Sequence, residues 1–173
     1  CSCCFWPLST KHGICGLHMA SAVTSASHPI RVSWISRRQS EEDVQGRIGL
    51  CFCPGKQLQQ SRLRVGHEET GRAIFRDLSV DLQRLHEVGI RMLICLLNEA
   101  ELRSIGIRCD YGKAVSKAGI KFVSYPIVEG AGAADSPGSA ELAHSVILGA
   151  AKAVRDGKNV VVHCRGGVGR AGM

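Results

Sequence analysis

Three valines at positions 160–162 run without interruption into His163-Cys164, and the chain then turns glycine-rich: Arg165-Gly166-Gly167-Val168-Gly169-Arg170. A β-branched run of this kind reads as a buried strand. A strand that stops at a cysteine and opens into glycines turns sharply. Such a turn points successive backbone N–H groups at one spot, a nest for an oxyanion. Five residues separate Cys164 from Arg170, few enough to bring the arginine back beside the sulfur. Its guanidinium is a planar fork that can grip two phosphate oxygens. Among N–H dipoles and near an arginine the thiolate is favoured, so the pKa of Cys164 is expected to fall. Nucleophile, anion cradle and clamp are the equipment for taking a phosphoryl group onto sulfur and passing it to water. Cys164 and Arg170 are the expected catalytic residues, and Arg165, Gly166, Gly167, Val168 and Gly169 the substrate-binding ones. His163 either supports the loop and the thiolate or is a structural histidine at a strand end. The same letters, Gly167 to Gly172, also fit the dinucleotide pattern G-x-G-x-x-G. That reading needs an acidic residue about 20 positions further on, and the sequence reads only to Met173.

The rest of the chain supplies the frame. Residues 47–53 read as a first strand closed by Pro54-Gly55, and residues 56–76 as a basic, polar loop. Asp77 is placed to cap a helix with Leu78, Leu82 and Leu85 on one face, ending at Gly89. Residues 90–97 form a near-continuous apolar run, a central parallel strand. Asn98-Glu99-Ala100-Glu101 has the form of a capping box. A helix over 110–118, a strand over 120–125 and a long helix from Ser139 follow. That last helix would turn Leu142, Val146, Ala150 and Val154 inward and stop at Gly157. Strands alternating with helices imply an α/β fold, a mostly parallel sheet flanked by helices. The strands' carboxyl ends and the active loops then share one edge. The loop over 126–138 therefore emerges beside Cys164. A carboxylic acid is needed there to protonate the leaving oxygen and then to activate water. Glu129 is the first choice and Asp135 the alternative.

Composition narrows the partners. Net charge is +7 and the pI near 9.1, which suits an acidic partner such as a phosphoprotein. Aromatic residues make up only 5%, leaving few platforms for stacking bases, so no nucleic acid is expected. No apolar run approaches the roughly 18 residues of a membrane span. The nine cysteines show no paired C-x-x-C pattern, which argues against zinc, and a reducing compartment is expected, the cytoplasm or nucleus. Residues 1–40 contain no Asp or Glu. Residues 1–45 are expected to be a disordered basic segment, with 1–18 a fragment edge or upstream sequence. Residues 19–40 carry some of the character of an organellar targeting peptide. Residues 46–173 would form the domain.

Several segments in order extend the picture: residues 48–56, Asp77-Leu78 with Asp81-Leu82, Tyr125-Pro126-Ile127-Val128-Glu129-Gly130, and His163 to Gly172. Together they resemble the dual-specificity phosphatases, in particular the cyclin-dependent kinase inhibitor 3-like group, the kinase-associated phosphatases. The resemblance covers about residues 47–173. It implies a cysteine-dependent phosphatase acting on phosphotyrosine, with phosphoserine and phosphothreonine as further substrates. It also implies a phosphoprotein partner such as a protein kinase, and no metal or organic cofactor. Two positions depart from the family pattern. Glu129 stands where the family has Asp in its acid loop. Ala171 stands where it often has Ser or Thr, whose hydroxyl helps the thiolate leave. The family's loop also feeds a buried helix, of which this sequence holds only Ala171-Gly172-Met173. The chain as given is therefore expected to fold marginally and turn over poorly. A non-catalytic phosphoprotein-binding module and a rhodanese-type sulfurtransferase are the alternatives.

Overall fold

The computed structural model describes residues 22–36, 45–59, 72–128 and 139–172. Its strands are β1 (Val23–Thr24), β2 (Ser33–Trp34), β3 (Ile48–Cys51), β4 (Gln57–Leu58), β5 (Ile74–Phe75), β6 (Ile90–Cys95), β7 (Lys121–Ser124) and β8 (Asn159–His163). Its helices are α1 (Leu78–Glu87), α2 (Glu99–Ser104), α3 (Tyr111–Lys117) and α4 (Ser139–Arg155). The main sheet has the order β2-β3-β8-β6-β7. Four of its strands run parallel, and β2 is an antiparallel edge. This is the expected α/β architecture, a central sheet flanked by helices.

Register explains where the chemistry sits. Cys51, His163, Cys95 and Ser124 lie in one row across β3, β8, β6 and β7. The chain leaves all four strands on the same edge, so the segments starting at Phe52, Cys164, Leu96 and Tyr125 emerge side by side. Val160 and Val161 of β8 are both fully buried, as a central strand covered on both faces requires.

Local signals behave as read. The Asp77 carboxylate accepts from the N–H groups of Ser79 and Val80 at the start of α1. Asn98 and Glu101 form the capping box of α2. In α4 the expected inward face holds at Val146, Ala150 and Val154 and fails at Leu142. Ala150 and Ala153 are buried, with Ala143, Val146 and Val154 packed against the core. Leu142 faces solvent, as do Ile147 and Leu148.

The domain boundary also needs correction. Residues 22–36, expected to be disordered, are part of the fold. β1 pairs with β5 in a second, three-stranded sheet, and β2 extends the main one. Ile30 enters the core at 5% exposure. Part of the expected loop over 56–76 is likewise extended as β4 and β5, while residues 60–71 lie outside the described residues. Two-residue strands are too short to show a period of two, and they are set by their partners rather than by local pattern. No helix among the described residues is long and apolar enough to cross a membrane.

Candidate active site

The signature loop is pinned at both ends. β8 delivers Cys164, which is 4% exposed. Gly167 takes φ +80°, and a Cβ there would meet the backbone of Cys51 and Phe52 at 2.6–2.7 Å. Only glycine lets the loop fold down onto the end of β3. A Cβ on Gly166 or Gly169 would meet nothing within 4 Å, so close packing explains one of the loop's three glycines. Lys56 donates from Nζ to the Arg165 carbonyl at 3.4 Å, tying the segment after β3 to the loop. Arg165 itself is exposed, and so is Val168.

The turn aims its N–H groups at sulfur. The Gly167 N–H donates to Cys164 Sγ at 3.2 Å. Burial alone would raise the thiol. The N–H groups of Ala171, Gly167 and Gly166 and the charge of Arg170 outweigh it and hold the pKa below the ordinary thiol value. The other thiols nearby behave oppositely. Burial, followed by the charges of Asp81 and Cys164, pushes Cys51 far up. Burial raises Cys53 as well and lifts Cys95 to about 11. One sulfur of the cluster is thus favoured as thiolate and three are kept as thiols.

Arg170 opens a short 3-10 turn (Arg170–Gly172) and is buried. Its NH1 donates to the Ile127 carbonyl at 2.8 Å, and its NH2 pairs with Glu101 Oε1 at 2.7 Å. Glu101 uses its other oxygen to accept from the Asn98 N–H at 3.0 Å. The residue that completes the α2 capping box therefore also fixes the clamp. Burial works against the Glu101 carboxylate, but the Arg170 and Asn98 N–H bonds and the charges of Arg170 and Arg165 bring its pKa down overall.

His163 is fully buried. Its Nδ1 lies 3.3 Å from its neighbour's carbonyl, Cys164 O, and Nε2 lies 3.1 Å from the Tyr111 hydroxyl. A carbonyl can only accept, so Nδ1 carries the proton and Tyr111 donates to Nε2. Burial lowers the pKa of His163 to about 4. Burial, with Cys53, Cys95 and Cys51 nearby, raises that of Tyr111. The pair stays neutral and orients the strand end beneath Cys164.

Glu129 and Asp135 lie outside the described residues. The segment leading to them is anchored at the site. The N–H groups of Tyr125 and Ile127 donate to the carbonyls of Cys95 and Leu96 at 2.9 and 3.1 Å, and the Ile127 carbonyl holds Arg170. Sequence reading did not find Glu101, Lys56 or Tyr111 as site residues. The capping box was the one visible signal for Glu101.

The profile of the PTP-SAK family, Swiss Army Knife protein, DSP-PTPase phosphatase domain, matches residues 75–173. The chain belongs to this family. No curated protein matches the sequence at a significant level. Among solved structures, the phosphatase domain is similar to a kinase associated phosphatase whose catalytic-site cysteine is substituted by serine. That match has TM-score 0.64 at 20% identity and covers 83% of this chain and 69% of that one. The active form of Tk-PTP matches with TM-score 0.46 at 18% identity, over 76% and 68% of the two chains. At such identities the first likeness speaks for the fold. The family carries the step from fold to phosphatase domain.

Proposed function

We propose that the chain is a cysteine-dependent protein phosphatase that hydrolyses phosphotyrosine, with phosphoserine and phosphothreonine as further substrates. The observation that carries this is the Gly167 N–H at 3.2 Å from Cys164 Sγ, within a turn whose neighbouring N–H groups also favour the thiolate. The Cys164 thiolate attacks phosphorus and the ester oxygen leaves with a proton, giving phosphocysteine. Water then attacks phosphorus and releases phosphate and the thiolate. The loop N–H groups from Arg165 to Gly169 and the fork of Arg170 hold the phosphoryl oxygens through both steps. Glu129 is proposed as the acid and then the base. It follows the anchored Ile127 by two residues, about 7 Å of chain at most. Asp135, eight residues on, is the less constrained alternative. A reducing compartment, the cytoplasm or nucleus, is proposed alongside this activity, the sequence having no paired C-x-x-C pattern. A phosphoprotein such as a protein kinase is the proposed partner, in keeping with the resemblance of the sequence to the kinase-associated phosphatases.

Turnover of a small aryl phosphate tests the reading. Cys164→Ser should abolish turnover yet retain binding of phosphate analogues. Wild-type turnover in that variant would remove Cys164 from the nucleophile's role. Glu129→Gln should slow an alkyl phosphate more than an aryl phosphate, because a phenolate needs little protonation to leave. The same pattern in Asp135→Asn instead would move the acid to Asp135.

A further inference from the structure

Beside the signature loop lies a recess of about 510 Å³ whose lining runs from Val23 through Phe52 and Ile74 to Gly166. We propose that it receives the residue flanking the phosphorylated one in a phosphopeptide substrate, a large apolar side chain next to an acidic residue. The inference rests on the phosphatase reading of Cys164.

Position is the first argument. Gly166 is one of the loop residues whose N–H supports the Cys164 thiolate, and it also lines the recess. Lys56, another lining residue, bonds the Arg165 carbonyl. A group in the recess is thus immediate neighbour to a phosphoryl group on the loop. The second argument is shape and polarity. The half-buried Val23, Phe52 and Ile74 give it apolar walls, and the volume falls within the roughly 300–1,000 Å³ of ligand pockets. The third is charge. Arg31 and Lys56 border it, and among the described residues that line it none carries a carboxylate. Lys56 is a strained cation there, since burial and the charge of Arg165 lower its pKa. An acidic group from a ligand would relieve it.

The wall is also built to hold its shape. Arg76 NH1 donates to the His28 carbonyl at 2.7 Å. Ser25 Oγ accepts from the Asp77 N–H at 2.9 Å, and β1 pairs with β5.

The test uses the full chain and phosphotyrosine peptides that differ only beside the phosphoresidue. They carry Phe-Glu, Ala-Glu, Phe-Lys or Ala-Lys on either side. Wild-type kcat/KM is referred to that for a small aryl phosphate, and affinity for the Cys164→Ser variant is read by fluorescence anisotropy. Burying a large side chain and pairing its acidic neighbour should each favour the Phe-Glu peptide by about tenfold. Arg31→Glu should remove the preference for Glu over Lys and leave the small aryl phosphate unchanged, Arg31 being an exposed residue outside the signature loop. A flat peptide series with normal aryl phosphate turnover overturns the recess inference alone. Absence of all turnover in a chain whose melt shows it folded overturns the phosphatase reading. The anisotropy series then still decides the recess, a graded series supporting it and a flat one overturning it.

Discussion

Among the described residues two buried arginines each hold a carboxylate, and the two pairs are built from the same parts for different ends. Arg76 meets Asp81 through two bonds, Nε to Oδ2 at 2.8 Å and NH2 to Oδ1 at 2.7 Å, and donates a third to the His28 carbonyl. Arg170 meets Glu101 at 2.7 Å and donates to the Ile127 carbonyl. The difference is solvent. Arg76 and Asp81 are 2% and 1% exposed, whereas Glu101 is 27% exposed. Asp81 also accepts from the Gly55 N–H at 2.9 Å, and Phe52 lies under the Arg76 guanidinium. The first pair therefore holds together α1, the segment after β3 and the wall of residues 22–31. The second holds one guanidinium at the mouth of the signature loop. Loss of the first should appear in stability, and loss of the second in turnover.

The sharpest break is Asp81→Ala. It strands the buried Arg76 charge without its carboxylate, a loss of about 3–5 kcal/mol. Denaturant melts should show it, while the fraction that stays folded keeps most of its aryl phosphate turnover. A variant that melts like the wild type would mean that the pair carries no architecture. Arg170→Lys is the mirror experiment. An ammonium cannot make two parallel bonds to a phosphoryl group, so turnover should fall on the order of 10²–10³-fold. The melt should move less than for Asp81→Ala, because the lysine keeps a cation beside the partly solvated Glu101. Near-normal turnover in the Lys variant would sink the clamp.

Acid gives a contrast of a third kind, since the buried neutral His163 belongs to the frame although it adjoins Cys164. Its pKa is lowered from 6.5 to about 4 in the folded chain. Between those values the unfolded chain binds the proton and the folded chain does not, so stability present above pH 6.5 is lost as pH falls toward 4. The shift corresponds to about 3 kcal/mol. Melts across that window should show the loss, and His163→Gln should flatten it even if that variant is less stable at neutral pH. An unflattened curve would assign the acid sensitivity to other groups.

The two pairs also show what was legible in the sequence. The strand into Cys164, the Asp77 cap and the Asn98–Glu101 box are local patterns, and each formed where read. Asp81 was visible as part of the family resemblance and Glu101 as part of a capping box, neither as an arginine's partner. Their second roles depend on Arg76 and on Arg170, which no local period reports. Residues 22–36 failed for the same reason. Their two-residue strands and Ile30 gain stability only from β3, β5 and the core, so the acid-free composition pointed to disorder. Leu142 failed more simply. Apolar spacing fits two neighbouring faces of α4, and the smaller side chains, Ala150 and Ala153, are the ones that fit against the sheet side.

Glu101→Gln is the mildest break and the most specific. Glutamine keeps the length and an acceptor oxygen, and it can still meet the Asn98 N–H, so α2 should remain capped. What it removes is charge beside Arg170. With its one oxygen on the Asn98 N–H, the glutamine turns its NH2 toward Arg170, so the guanidinium loses its charge-assisted bond with no acceptor in its place, and its hold at the loop loosens without a change in the residue itself. Such a positioning role predicts a loss of about tenfold in kcat, with the affinity for phosphate analogues changed much less. The acid limb of the pH–rate profile should stay with Cys164. Glu101→Asp, which restores the charge one methylene short, should recover only part of the rate. A purely structural role for Glu101 predicts the reverse: a lower melting temperature, unchanged kcat in the folded fraction, and no rescue by Asp.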